Sequence, residues 1–394
     1  MKKALLSPLR PFTFTLIALI FTLATTASAQ YTETTLYTFP YNGALASPSG
    51  VVMDKAGSLY GTTSTEGCSS LCGTVFELSP SSGGWIETTL YTDTVGNLGA
   101  PLVIDAKGNL FGVAYGNSSN CGEVFEGSPT STGWIFTTLV PFYGVIGCHP
   151  ATALTLGPDG VVYGTTAGGG VGNFGTIFKL TPTSSGWQHQ ILHYFAGGTG
   201  GEDPQSPVAL DSAGNIFGTG LSGGMNNYGI VFRLKPQPNG KYTFTPIHYF
   251  SLLARGAHPA GSLVLDTSGN IFGTTTGGGT TGEGIAYELV KGPSGYAEKV
   301  VHTFSTAKDG ENPTGGLIVD STGNLYGSTS SGINGIYGTV FKLSPSSAGW
   351  FETILLTGSR DFDAFNQPLL LDSAGNLYTA ANNNEIFALS PPAP

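Results

Sequence analysis

Asp320-Ser-Thr-Gly-Asn-Leu-Tyr-Gly-Ser-Thr329, followed by Gly338-Thr-Val-Phe-Lys-Leu343 and Trp350-Phe-Glu-Thr-Ile-Leu-Leu356, is the stretch whose reading decides the fold. Its centre, Gly-Asn-Leu-Tyr-Gly or a close variant, occurs seven times, with the recurring glycine at Gly57, Gly108, Gly160, Gly214, Gly269, Gly323 and Gly375. The intervals are 51, 52, 54, 55, 54 and 52 residues. A period near fifty marks an array of small structural units. A residue repeated in every copy serves the scaffold, so function is sought where the copies differ.

One copy reads as four strands. Gly316-Leu-Ile-Val-Asp320 is a short apolar run ending in a turn residue. In Ser321-Thr-Gly-Asn324 the aspartate side chain can bond the backbone ahead of it, and Gly323 can take positive φ. Leu325 to Thr329 is a second strand, whose internal Gly327 implies close approach of a backbone or an aromatic ring. The third and fourth strands are Gly338 to Leu343 and Trp350 to Leu356, and nothing carries a helical period. Four antiparallel strands per unit predict propeller blades, which bury their faces only by stacking around an axis.

The ends test this expectation. The seventh copy has Leu369 to Asp372, Gly375 to Tyr378 and Glu385 to Leu389, but no fourth strand. Tyr31-Thr-Glu-Thr-Thr-Leu-Tyr-Thr-Phe39 matches Trp85-Ile-Glu-Thr-Thr-Leu-Tyr-Thr-Asp93 and supplies the missing strand. The expectation is an all-β, seven-bladed propeller spanning residues 30–394, its last blade closed by the N-terminal strand, which leaves no free edge. Residues 1–29 read as a secretory signal: Lys2, Lys3 and Arg10, an apolar stretch from Phe12 to Leu23, then Ala27-Ser-Ala29. That stretch is too short for a comfortable membrane span.

The combined motif, Asp-x-x-Gly-Asn-Leu-Tyr-Gly, a glycine-rich stretch, Gly-Thr-Val-Phe-Lys-Leu and Gly-Trp, resembles the Gloeo/Verruco (GloVer) tandem repeat of exported bacterial proteins. The likeness runs from Tyr31 to Leu389. It implies export and a repeat fold, and it brings no catalytic residues.

Of 15 Lys+Arg and 25 Asp+Glu, the signal removes three basic residues and no acidic one, leaving a mature net charge of −13. Without basic clusters the chain is a poor partner for nucleic acid or an anionic membrane. Four cysteines, Cys68, Cys72, Cys121 and Cys148, allow three pairings. Spacing favours Cys68 with Cys72 and Cys121 with Cys148; a Cys-x3-Cys metal half-site finds no matching His/Cys cluster nearby.

Recurring polar residues read as structural slots. Asp54, Asp105, Asp211, Asp266, Asp320 and Asp372 lack the alternating oxygen ligands of a calcium loop and are expected to cap turns. His193, His248 and His302 share a fourth-strand slot with Tyr37 and Tyr91. Trp85, Trp134, Trp187, Tyr242, Tyr296, Trp350 and Tyr31 form another, expected between blades. No metal or cofactor motif and no nucleophile elbow is present.

The copies differ in the loops between strands two and three and in those entering the next blade, which share one face. Four entering loops end in proline, ten residues before the motif glycine, which makes His149, Asp203, His258 and Asn312 equivalent positions. They are the candidate ligand residues at the channel mouth, with Asp309, Glu311, Asp361 and Asp363 making the rim acidic. A polar ligand or a divalent cation is the expected occupant; the simpler reading makes them turn residues before proline. The functional expectation is an exported, non-catalytic binding or scaffold protein contacting a carbohydrate, peptide or envelope component. The alternative is a propeller lyase, lactonase or glycosidase with its site at the channel mouth.

Overall fold

The computed structural model describes residues 31–40, 46–65, 73–93, 97–117, 120–150, 152–251, 255–305, 309–331, 338–358, 367–381 and 384–392. The proposed signal, Cys68, Cys72, Asp361 and Asp363 lie outside these residues.

Seven antiparallel sheets of four strands each form the blades of a propeller. In the sixth blade the strands are Leu317–Val319, Leu325–Thr329, Thr339–Ser346 and Gly349–Thr357, paired in that order. The last blade is completed by Thr32–Thr38, which pairs antiparallel with Glu385–Ser390, from Thr32 opposite Ser390 to Thr38 opposite Glu385. The first blade adds a short piece, Ala46–Pro48, to the same second strand that Val52–Met53 pairs with. In the fifth blade these two pieces are one strand, Gly256–Leu265, with a register shift between Ala260 and Val264.

The turn after each innermost strand is built as its sequence requires. Asp320 Oδ1 accepts the backbone N–H groups of Thr322 and Asn324, and Oδ2 accepts the Asn324 side-chain amide. The same pair of backbone bonds recurs at Asp54, Asp105, Asp211, Asp266 and Asp372. Burial by itself would raise the Asp320 pKa, but these donors outweigh it and hold the carboxylate well below its ordinary range.

Inside each of the first six blades an aromatic ring from the third strand covers the second-strand glycine. A Cβ on Gly327 would stand 2.5 Å from Phe341 Cζ, and the same holds for Gly61 with Phe76 and Gly218 with Phe232. Glycine is required by this ring and not by an unusual backbone, as its position in the motif implied. The ring of Phe341 is fully buried, worth about 1.5–3 kcal/mol in removed apolar surface.

Between blades the motif aromatic meets the Trp/Tyr slot of the following blade. Tyr60 contacts Trp134, Phe111 contacts Trp187 and Phe272 contacts Trp350, with ring centroids 5.5–5.7 Å apart. Seven apolar clusters drawn from adjacent blades make up the core. Thus the Leu-Tyr-Gly of the motif does three jobs: leucine fills the blade, tyrosine reaches the neighbour, and glycine admits the ring.

Gly327→Ala should lower stability by about 1–3 kcal/mol, because the Phe341 ring must move. Gly83→Ala, whose Cβ would meet nothing within 4 Å, should change it by less than about 0.5 kcal/mol. Equal losses for both in urea unfolding would remove the ring-on-glycine account.

Candidate functional site

Each outermost strand is interrupted at one position by a register shift: between Thr35 and Tyr37, Thr138 and Val140, and on the strands facing Val75/Phe76, Ile177/Phe178, Val231/Phe232, Ala286/Tyr287 and Val340/Phe341. Such a bulge breaks the alternation and turns two successive side chains to the same side. One is the bulged residue itself (Leu36, Leu139, Leu192, Ile247 or Val301), which packs into the interblade core. The next is the slot that holds Tyr37, Tyr91, His193, His248 or His302. It therefore points into the cleft toward the following blade, where it meets the residue two after that blade's Trp/Tyr slot.

The pairing is aromatic in some clefts and ionic in others. Tyr91 stacks on Phe136 at 4.7 Å, and His193 stacks on Phe244 at 3.9 Å with planes only 2° apart. His248 Nε2 lies 3.1 Å from Glu298 Oε2, and His302 Nε2 lies 3.4 Å from Glu352 Oε1. The loop seven residues past each histidine adds a third group. After His248 it is Arg255, 3.6 Å from Glu298, which neutralises a carboxylate that is only 2% exposed. After His302 it is Asp309, whose Oδ2 accepts from His302 Nε2 at 2.7 Å.

Asp309 is thus not on the acidic rim expected for it. It is 3% exposed, its Oδ1 accepts the Ser305 N–H, and its carbonyl accepts from Thr339 Oγ1. The N–H groups of Asp309 and Gly310 both bond to the Ser305 carbonyl, which sets the Asp309 side chain in the cleft between the fifth and sixth blades. His302, Asp309 and Glu352 bring three ligand-type atoms within 4.8 Å of one another. Burial, reinforced by the charge and hydrogen bond of Asp309, pushes the Glu352 carboxyl well above the usual carboxylate range. Burial opposes ionisation of Asp309 too, but bonds from His302 and Ser305 overcome it and lower its pKa. Glu352 Oε1 is buried without a hydrogen bond, because the His302 proton is committed to Asp309.

His149, Asp203, His258 and Asn312 do occupy one equivalent position. All four have left-handed backbone, with φ between 52° and 59°. Each donates its N–H to a carbonyl of the preceding blade: Cys121, Phe174, Tyr228 and Glu283. Their side chains diverge. His149 stacks on Tyr115 at 4.8 Å, Asp203 takes both oxygens to Gln205 Nε2, and His258 Nδ1 bonds the Leu221 carbonyl. Glu311 pairs by its backbone with Ser331. These side chains do not converge on one point, and the second blade's Cys121 is disulfide-bonded to Cys148.

The central channel is a cavity of about 400 Å³ lined from all seven blades. Its polar groups are neutral: Thr152, Gln205, Ser262, Thr314 and Gln367, with backbone at Gly99, Gly261 and Gly315. Thr314 Oγ1 is buried there without a hydrogen-bond partner. A larger cavity, about 640 Å³, opens on the opposite face between the second and third blades beside Trp187 and the Asp105 turn.

The Gloeobacter/Verrucomicrobia repeat model matches residues 18–209 and 203–389. The chain belongs to this family. No curated protein matches the sequence at a significant level. Among solved structures, this Gloeobacter/Verrucomicrobia repeat protein is similar to the extracellular domain of a putative hybrid two-component system from B. thetaiotaomicron (13% identity, TM-score 0.58). That match covers 92% of this chain and 40% of the other, so the chain spans well under half of that relative's length. A putative 6-phosphogluconolactonase from Bacteroides fragilis NCTC 9343 is 14% identical, with a TM-score of 0.53 over 87% and 89% of the two chains. The WD40 propeller domain of Doa1 is 11% identical, with a TM-score of 0.54 over 92% and 98%. At these identities the likeness establishes the propeller fold alone. No helix among the described residues is long and apolar enough to cross a membrane.

The stacked histidine gives this repeat protein a titratable weak point. Burial against Phe244 pushes the His193 pKa down to about 4. The unfolded chain binds that proton near pH 6.5, so the stacked pair's contribution is whole above that pH and is lost as pH falls toward 4. Replacing the ring by His193→Phe should shrink the stability difference between pH 7 and pH 5 by about 1–2 kcal/mol, read from urea midpoints. An unchanged difference would show that His193 is solvated.

Proposed function

We propose that the chain is an exported, non-catalytic binding or scaffold propeller that contacts its partner through the variable-loop face. The observation that carries this reading is a pair of matched, rigid loop tips. In the third and fourth blades Asn173 and Asn227 take left-handed backbone, φ 64° and 62°, and their side chains bond back to the N–H groups of Gly169 and Gly223. These closed turns hold Val171 and Met225 in solvent, 71% and 70% exposed. Tyr143 and Val145, on the loop between the second and third blades, are exposed as well. Apolar side chains fixed in water by a rigid turn lose little freedom on contact, which is how preorganised surfaces gain affinity.

The other face carries mostly repeated aspartate turns, with Gly157 replacing the aspartate in the third blade, so variation is concentrated on this side of the ring. A peptide or envelope protein fits the apolar tips. The neutral amides and hydroxyls of the channel add hydrogen-bonding groups of the kind a peptide backbone or a carbohydrate uses. Export is supported by the signal-like residues 1–29, by the Cys121–Cys148 bond and by extracellular relatives, including a surface component of the type-IX secretion system of Porphyromonas gingivalis (14% identity, TM-score 0.53).

Peptide and glycan arrays probed with the mature chain test this reading. A peptide ligand should lose at least about tenfold affinity, about 1.4 kcal/mol, in the Val171→Ser, Met225→Ser double variant, with an unchanged thermal midpoint. A glycan ligand should instead respond to His149→Asn, Asp203→Asn and His258→Asn, which borrow the residue already present at Asn312. Ligands indifferent to both sets would sink the placement.

A further inference from the structure

We propose that His302, Asp309 and Glu352 form a divalent transition-metal site, of the kind that takes Zn²⁺, clamping the fifth blade to the sixth. It lies in the cleft between these blades, apart from the loop tips and the channel, and does not depend on the reading given for them.

The argument rests on comparing two adjacent clefts made from the same repeat positions. In the cleft between the fourth and fifth blades, His248, Arg255 and Glu298 stand at the three positions; the carboxylate oxygens make no hydrogen bond there either, but a cationic arginine lies 3.6 Å away. One repeat later, at the equivalent position, arginine is replaced by Asp309. The cleft then holds two carboxylates and an imidazole within 4.8 Å, and Asp309 is almost wholly buried. Two buried carboxylates at this separation must either share a proton or hold a cation between them. The site's own histidine supplies one proton donor, already bonded to Asp309, and leaves Glu352 Oε1 buried without a hydrogen bond, 3.4 Å from the same Nε2.

The donor set specifies the kind of cation. Imidazole nitrogen with carboxylate oxygens suits zinc and similar ions, whereas Ca²⁺ and Mg²⁺ prefer oxygen alone. Tetrahedral ligands about 2.0–2.1 Å from zinc stand roughly 3.3 Å from one another. The His302–Glu352 separation is 3.4 Å and the His302–Asp309 separation 2.7 Å. The latter must open by about 0.6 Å as the ion displaces the proton on Nε2, and Asp309 and Glu352, whose ligand atoms lie within 4.8 Å, must settle at the same spacing. Outer contacts already orient the ligands: Ser305 N–H holds Asp309 Oδ1, Thr339 holds the Asp309 carbonyl, and Phe304 packs edge-on against His302 at 4.8 Å. Three protein ligands leave a fourth position for water, on the side where His302 is 20% exposed.

Chelator-treated protein titrated with Zn²⁺ by calorimetry is the test. The expected result is about one ion per chain, a thermal midpoint raised by the ion, and at least about tenfold weaker uptake of Ca²⁺ and Mg²⁺. Asp309→Arg, which copies the neighbouring cleft, should abolish uptake and the midpoint rise. If that variant does not fold, Glu352→Gln and His302→Tyr serve, the latter taking the residue present at Tyr37 and Tyr91. X-ray absorption should show one nitrogen among oxygen ligands. Absence of uptake by the parent protein, or uptake unchanged in these variants, overturns the site.

Discussion

Six of the seven blades depend on one close contact, the third-strand aromatic ring set over the second-strand glycine. It fixes which faces of two neighbouring strands meet and so the register of the sheet. With the ring filling the blade's own interior, the adjacent tyrosine or phenylalanine is free to reach the next blade. The aspartate turn joins the innermost strand to the second. The seventh copy has Thr379 where the others have glycine, opposite Phe387 in the sheet. It is the blade assembled from both ends of the chain.

Much of this was legible because the repeat is its own alignment. Blade number, strand order, the closing strand and the aspartate caps all follow from residues recurring at a constant offset. The clefts were less legible. Within its own slot, beside His193 and His248, His302 looks like one more repeated strand residue. Its partners are Glu352, in the next repeat at a different slot, and Asp309, on a loop. Only a comparison of one slot with another slot a repeat further on brings them together. The bulge that aims the histidine leaves no mark on strand alternation, since the bulged residue is as apolar as its neighbours. The sequence places Asp309 on a loop of the variable face; the bonds from the Asp309 and Gly310 N–H groups to the Ser305 carbonyl set it inside.

The equivalence of His149, Asp203, His258 and Asn312 was also legible, from the proline that follows each. Their shared left-handed backbone and their bonds to the preceding blade are scaffold geometry. Their diverging side chains were beyond the sequence, because each is set by whatever the neighbouring loop offers: Tyr115, Gln205 or the Leu221 carbonyl. A propeller of this kind separates tasks spatially. The strands and one set of turns repeat, the loop tips vary, and the clefts between blades can exchange a stacked ring for an ion pair without altering the backbone.

The strand that closes the ring also orders events in time. Thr38 and Glu385 are 347 residues apart along the chain and adjacent in the sheet. Within the ring the first strand made, Thr32–Thr38, waits for the last, and until Glu385–Ser390 exists the array has two open edges able to pair with other chains. Contacts of such long separation form slowly. The same join that seals the finished molecule makes its youth the period in which a holding partner matters most.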